Sequence, residues 1–365
     1  MFLTLKIFLK SALVGRFIKV NLFQKYFRNN KLIIADVGST GGLSPLWSNI
    51  EDILLCYTFD PDSRAVKSLH KYIKIFNCAL WSSKSKLNLH LTKFPDASSI
   101  YHPNNEFLKS FLNYNGHHVE KIVKINTKKM DDIFLNEKSP DFIKIDTEGA
   151  DLEILKGSTF NLENNILGIQ SEVQFIERNI GSPLFGEIHD FLLKKGFWIM
   201  DLKKESWIRE NSLYRANSKP QLIWGDAIYM ISNDEALKRG SKMSNNDRTF
   251  FLVKIILISL IYGFHDYAYH ILDKFLQEKL IKIEVYNSLL NLLKQNISSN
   301  WSIILTKLLL VVISSFALIL FCLFKKQRQQ ALIFWKSSVI AFNYSIINII
   351  SRTGRYKESV GDTSF

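Results

Sequence analysis

The sequence predicts an α/β protein: a doubly wound, mostly parallel sheet followed by an α-helical C-terminal region. Three observations carry that prediction. From residue 31 to about 232, short apolar runs alternate with segments of helical spacing. A turn of small residues, DVGSTGG (36–42), directly follows the first of those runs. Beyond residue 250 the chain keeps helical periodicity and loses nearly all turn punctuation.

Taken in order, LIIADV (32–37), ILLCYTF (53–59), DFIKID (141–146) and ILGIQSEV (166–173) read as strands buried on both faces. DSRAVKSLHKYI (62–73) and GADLEILKGS (149–158) have helical spacing, and IFNCALWSS (75–83) holds the end of a third strand. KLNLHLTK (86–93) alternates with period two and, with EKIVKINT (120–127), predicts added strands outside the simple α/β rhythm. GFWIMDLK (196–203) and GDAIYMIS (225–232) read as closing strands, the last an antiparallel edge. The expected organisation is a basic helical segment (1–30), the α/β domain (31–232) and a polar linker (233–249). A helical region (250–300), apolar helices (301–350) and a polar tail (351–365) follow.

Lysine and arginine exceed aspartate and glutamate by thirteen, which favours acidic partners. Residues 1–35 hold seven basic residues and no acid, and a second basic cluster, KKQRQQ, occupies 325–330. Neither cluster is interleaved with aromatics along a nucleic-acid track, so the excess is expected to serve an anionic membrane surface, or simple solubility, and nucleic acid is not an expected partner. Residues 308–324 run seventeen residues without a charge, at the lower limit for spanning a bilayer. A span there would put the α/β domain, or the basic cluster, on the wrong side, so membrane-associated or packed helices are expected instead. The expected location is cytoplasmic, at the cytoplasmic face of a membrane. Cys56, Cys78 and Cys322 share no metal-ligand spacing and read as thiols in a reducing compartment.

A strand ending in an acid, then a turn of small residues, is a nucleotide-type site. The dinucleotide pattern G-x-G-x-x-G fails: counted from Gly38, its later glycines fall on Thr40 and Leu43. The pattern acid-x-G-x-small-x-G fits Asp36, Gly38, Thr40 and Gly42. It suits S-adenosylmethionine, whose carboxylate can meet backbone N–H groups while Asp36 favours its ammonium, directly or through water. Asp60 ends the second strand, twenty-four residues after Asp36, where an acid can accept ribose hydroxyl protons. It equally suits a turn before Pro61. Asn77, Cys78 and Ala79 lie where a third strand would pass the adenine.

PDFIKIDTEGADLEILKG puts Asp146 at the carboxyl end of the fourth strand and Glu148 at the start of the next helix. Glu172 ends the fifth strand beside it. Two carboxylates at adjacent strand ends could deprotonate a hydroxyl or hold a divalent cation; no third ligand is evident. His102, His117 and His118 fall in expected loops, and Trp224 precedes the last strand.

The chain resembles the FkbM family of S-adenosylmethionine-dependent methyltransferases. The residues that carry the resemblance are DVGSTGG, FDP, NCALW, TKKMDDI and above all IKIDTEGADLEILKG with SEV after it. It covers about residues 31–232, and KIDTEG is the specific part. Thr40 stands where the family usually has Asn, Asp60 where it often has Glu, Met130 where it has Leu, and Asp151 where Glu is common. The resemblance implies a Rossmann-like class I methyltransferase fold and O-methylation of a hydroxyl on a sugar, glycan or polyketide-like acceptor, which could be lipid-linked. It assigns Asp36, Gly38, Thr40, Gly42, Asp60, Asn77 and Ala79 to the cofactor. Asp146, with Glu148 and Glu172 behind it, takes catalysis, and Ser98 and Ser99 in DASSIYHPN take substrate contacts.

Two other classes compete. A nucleotide-sugar oxidoreductase or epimerase would need a phosphate-binding glycine pattern and a Tyr–Lys pair, and neither is visible. A catalytically inactive membrane adaptor would keep the fold and lose the chemistry.

Overall fold

The computed structural model describes residues 18–39, 44–64, 70–111, 114–210 and 218–297, in which Ile18–Leu293 form one compact unit. Among the described residues, ten strands form two sheets: β1 (Leu32–Val37), β2 (Leu54–Phe59), β3 (Ile73–Phe76), β4 (Ala79–Leu80), β5 (Lys86–Thr92), β6 (Val119–Lys128), β7 (Phe142–Ile145), β8 (Gly168–Gln174), β9 (Phe197–Trp207) and β10 (Gln221–Ile231). The main sheet has the order β3-β2-β1-β7-β8-β10-β9, and a small one has the order β4-β6-β5. The pairs among β3, β2, β1, β7 and β8 are parallel, whereas β10 is antiparallel to both β8 and β9. The expected doubly wound, mostly parallel sheet is therefore present. The antiparallel strand β10 lies inside the sheet, and β9 forms the edge.

All six residues of β1 are buried, as a central strand covered on both faces requires. The chain builds outward from β1 through β2 to β3, then outward the other way from β7 to β8. The strand order reverses between β1 and β7, and the crevice outside such strand ends is where α/β sheets bind ligands.

The helices are α1 (Asp151–Lys156), α2 (Thr159–Asn164), α3 (Phe185–Lys194), α4 (Asn233–Ser241), α5 (Asn245–Tyr262), α6 (His265–Gln277) and α7 (Ile283–Ile297), besides single turns. Three further expectations change. IFNCALWSS does hold the end of β3, at Phe76, but Asn77, Cys78 and Ala79 do not lie along that strand: Asn77–Cys78 turn the chain into β4, which pairs with β6 in the small sheet. Of the helix expected over 62–73, residues 65–69 lie outside the described residues; residues 63–64 and 71–72 are turns, and Ile73 already begins β3.

The third change concerns the linker expected at 233–249, which is helical. Ser232 caps α4, its Oγ accepting from the Glu235 N–H at 3.2 Å. Arg239 is buried and donates to the carbonyls of Leu162 (2.5 Å) and Ile166 (2.9 Å), which end or follow α2. A polar segment thus folds against the domain because its buried arginine satisfies carbonyls left over at a helix end.

The C-terminal helices continue the same compact unit. α5 is buried almost all round from Phe251 to Ile261, as a helix apolar on every side must be. Tyr262 stacks on Phe142 of β7 and meets Trp47 edge-on, and Lys254 Nζ pairs with buried Asp141 at 2.7 Å. Gly263, at φ +87°, ends α5 in a left-handed cap. No helix among the described residues is long and apolar enough to cross a membrane, and the apolar segment 301–324 lies outside them.

Candidate active site

A cleft of about 300 Å³ opens at the switch point, between the tips of β1, β2 and β7 on one side and β4, β5 and residues 95–100 on the other. Gly38 ends β1. Its φ is +78°, and a Cβ there would sit 1.9 Å from the Asp146 carbonyl oxygen, so only glycine lets the β1 and β7 tips meet. Asp146 follows β7 directly, held by its N–H to the Val37 carbonyl at 3.0 Å, and its side chain is 42% exposed on the cleft wall.

Lys144, two residues earlier on β7, stands in register with Asp36 of β1. Its Nζ lies 3.3 Å from Asp36 Oδ1 and 3.5 Å from Asp146 Oδ2. Burial works against the Lys144 ammonium, but the two carboxylates outweigh it and hold its pKa above the usual lysine value. Asp36 itself is fully buried, and burial raises its carboxyl above the usual range against the pull of Lys144. Its Oδ2 has no hydrogen-bond partner. Asp36 is not among the residues lining the cleft, and it is Lys144 that lines the wall there. The Asp36 carboxylate, expected to favour an ammonium directly or through water, thus sits behind Lys144. The fold puts a lysine between that carboxylate and the cleft, because residues in register on β1 and β7 share one face.

Asp60, just past β2, lines the cleft, and its Oδ1 accepts from the Asp62 N–H at 2.8 Å. The turn role and the cleft position therefore coexist, since a carboxylate has two oxygens. Ala79, Leu80, Phe59 and Leu89 add an apolar wall, joined by Cys78. Asn77 is exposed and off the cleft, because the β3–β4 turn swings it outward. Thr40 and Gly42 lie outside the described residues.

Ser98 and Ser99 both line the cleft, but their hydroxyls serve the wall itself. Ser99 is buried, donates to the Glu148 carbonyl at 2.8 Å and accepts from the Tyr101 N–H. Ser98 Oγ accepts from Thr92 N–H at 3.2 Å and from Arg64 at 3.0 Å.

Glu148 and Glu172 are set apart from Asp146. Neither lines the cleft; both are bound to the buried guanidinium of Arg178, Glu148 at 2.6 Å and Glu172 on the same Nη2. Arg178 stacks over the rings of Trp207 and Trp224, 5.8 and 5.5 Å from their centroids. Burial drives both glutamates up against the pull of Arg178, Glu172 furthest. Glu148 adopts φ +54° and Gly149 φ +106°, a strained left-handed pair that aims the Glu148 side chain at Arg178. Of the pair expected at adjacent strand ends, Asp146 and Glu172, Glu172 is instead joined with Glu148 in a buried Glu–Arg–Glu bridge, and Asp146 is left facing the cleft. Among the described residues, no group of three or more His, Cys, Asp or Glu is placed to hold a metal ion. Arg178 is invisible to sequence patterns because it sits six residues past Glu172 in an irregular segment, FIERN; its one signal is an arginine among apolar and turn residues.

His117 sits in an aromatic pocket with Phe111, Tyr114 and Trp207, where burial, then Arg178, pushes its pKa down to about 4. Asp151 is buried in α1 and accepts from Thr147 Oγ1 and Ser171 Oγ, both at 2.9 Å. Burial pushes its carboxyl up to about 7 despite those bonds. An acid whose pKa rises on folding binds its proton more tightly when folded, so stability falls as pH climbs from about 4, the unfolded value, to about 7. Asp151→Asn should flatten that slope by up to ~1.4 kcal/mol per pH unit. Urea unfolding across this window checks it; a constant difference between the two proteins would contradict it.

Residues 56–199 match the family described as Methyltransferase FkbM domain. No curated protein matches the chain. Among solved structures, a methyltransferase FkbM from Methylobacillus flagellatus KT is similar at 14% identity and TM-score 0.32, over 55% of this chain and 43% of that one. A candidate RNA methyltransferase from Pyrococcus horikoshii is similar at 12% identity and TM-score 0.27, over 58% of this chain and 82% of that one. The chain thus spans less than half the length of the first of these.

Proposed function

We propose that this chain, whose residues 56–199 match the Methyltransferase FkbM domain, is an S-adenosylmethionine-dependent O-methyltransferase acting on a hydroxyl of a sugar, glycan or similar acceptor. The observation that carries this reading is the cleft at the β1/β7 switch point, with Gly38, Asp60 and Asp146 on one wall and Ala79 on the other.

The residues present fit that cofactor. Gly38 leaves bare backbone at the β1 tip, Asp60 offers a carboxylate to a ribose, and Phe59, Ala79 and Leu80 give an apolar flank to a purine. Lys144 is the cleft-lining cation suited to a carboxylate end. When bound, S-adenosylmethionine supplies an electrophilic methyl group on a sulfonium. The protein must then align the acceptor and remove its proton. Asp146 suits proton removal, because its carboxylate faces the cleft beside Lys144 and can accept from an acceptor hydroxyl. Arg178, Glu148 and Glu172 fix the turn that follows Asp146 and stay behind the wall.

We further propose that the chain works in the cytoplasm at a membrane face on a glycan-like or lipid-linked acceptor; the acid-free basic stretch over residues 1–35 supports the anionic-surface part of this reading.

Calorimetric titration tests the reading. Asp60→Ala should weaken S-adenosylmethionine binding by ~1–3 kcal/mol, the cost of unpaired polar groups. Asp146→Asn should leave affinity within about threefold, since a base acts on the acceptor. Unchanged affinity in Asp60→Ala would remove the ribose role.

A further inference from the structure

We propose that Arg64 is a positioning residue for cofactor binding: a strut outside the cleft that holds its two walls at a fixed separation and fixes the Asp60 loop. The proposal rests on the cofactor reading above.

Arg64 is not among the cleft-lining residues. Its side chain nevertheless joins both walls. On one side it forks onto Asp62, with Nη2 at 2.7 Å from Oδ2 and Nε at 3.0 and 3.1 Å from the two oxygens. On the other side Nη1 donates to the Thr92 carbonyl at 2.8 Å and Nη2 to Ser98 Oγ at 3.0 Å. Asp62 and Ser98 both line the cleft, from the β2 tip and from the loop after β5. One guanidinium therefore spans the mouth.

The chain of contacts reaches Asp60. The Asp62 N–H donates to Asp60 Oδ1 at 2.8 Å, and the Asp62 carboxylate in turn accepts from the Arg64 backbone N–H at 2.9 Å. The orientation of the Asp60 carboxylate is thus tied to the conformation of Asp62, which Arg64 fixes. Burial alone would raise the Asp62 carboxyl, whose side chain is 5% exposed; the Arg64 hydrogen bonds reverse that and hold it below its usual value. A surface ion pair ordinarily contributes little. This arginine differs because it is bidentate and shared by two elements, which sets geometry as well as charge.

The far end of the same wall is fixed independently, by Ser99 Oγ to the Glu148 carbonyl. Neighbouring serines therefore clamp the wall to the main sheet at two places: Ser99 to the turn after β7, and Ser98 through Arg64 to the tip of β2. Loss of Arg64 frees one end only, so the domain stays folded while the Asp60 side of the cleft loosens.

The test is a double-mutant cycle read by calorimetry with S-adenosylmethionine on the full chain. Arg64→Met should raise Kd about tenfold, with Arg64→Lys between it and the wild type, because a point charge lacks the fork. On an Asp60→Ala background, Arg64→Met should add less than about twofold, since its effect runs through Asp60. On an Asp146→Asn background it should keep its full effect. A merely destabilising change would lower affinity on both backgrounds alike. Equal losses on both backgrounds, or wild-type affinity in Arg64→Met, would overturn the proposal. Arg64→Lys gives the same reading if Arg64→Met fails to fold. A wild-type chain that does not bind S-adenosylmethionine would instead overturn the cofactor reading itself.

Discussion

Replacing Arg178 with Met should destabilise the protein by about 3–5 kcal/mol, the cost of leaving buried charge without its partner. Arg178 is 3% exposed and carries both Glu148 and Glu172. Removing it leaves two carboxylates facing each other in an apolar setting roofed by Trp207 and Trp224. The effect has a pH signature. Without Arg178 both glutamates are pushed further up, so the folded state favours their protonated forms. The deficit should then be smallest below the unfolded glutamate value, near pH ~4.3, and grow as pH rises through the raised folded values. A second arm separates charge from packing: adding Glu148→Gln and Glu172→Gln to Arg178→Met should recover much of the loss, because no ion remains unpaired. Urea midpoints at about pH 5 and pH 8, on either side of the window in which the deficit grows, measure all of this. A variant as stable as the wild type, or one whose deficit shrinks with rising pH, would show that the bridge has another basis.

Gly38→Ala should cost about 2–5 kcal/mol, adding a left-handed backbone to an overlap that the strand tips must relieve. The added methyl would lie 1.9 Å from the Asp146 carbonyl oxygen and 3.2 Å from Thr147 Cγ2. The first contact is backbone, so it cannot rotate away; β1 and β7 must part at the place where the cleft opens. S-adenosylmethionine affinity should therefore fall with stability in this variant. An alanine variant with the wild-type urea midpoint and affinity would mean that the β1 tip is not built as described.

Much of the fold is legible in the sequence because strands buried on both faces are continuous apolar runs. The run LIIADV gives β1 to the residue, and the runs for β2 and β7 fall within one residue of the strand at each end. The turn glycine and the acid after KI fall at strand ends, and the switch-point rule brings such ends together without further information. What resists reading depends on contacts distant in sequence. Arg178 has one partner thirty residues away. Lys144 meets Asp36 across 108 residues, so a strand lysine looks like a solvated charge and not a screen in front of Asp36. The segment 233–249 looks like a linker because only Ala236, Arg239 and Gly240 of α4 are buried, a stripe too narrow and too polar to register as apolar periodicity. Ser98 and Ser99 sit on the cleft as expected, yet their hydroxyls go to wall contacts that no local pattern encodes.

The central claim is that the crevice between β1, β2 and β7 holds an adenosyl group. Its most direct test is a crystal structure of the chain with S-adenosylmethionine. The account predicts ribose hydroxyls on the Asp60 carboxylate and the purine flanked by Phe59, Ala79 and Leu80. Density for the cofactor elsewhere, or a dinucleotide diphosphate seated at Gly38 in its place, would contradict it.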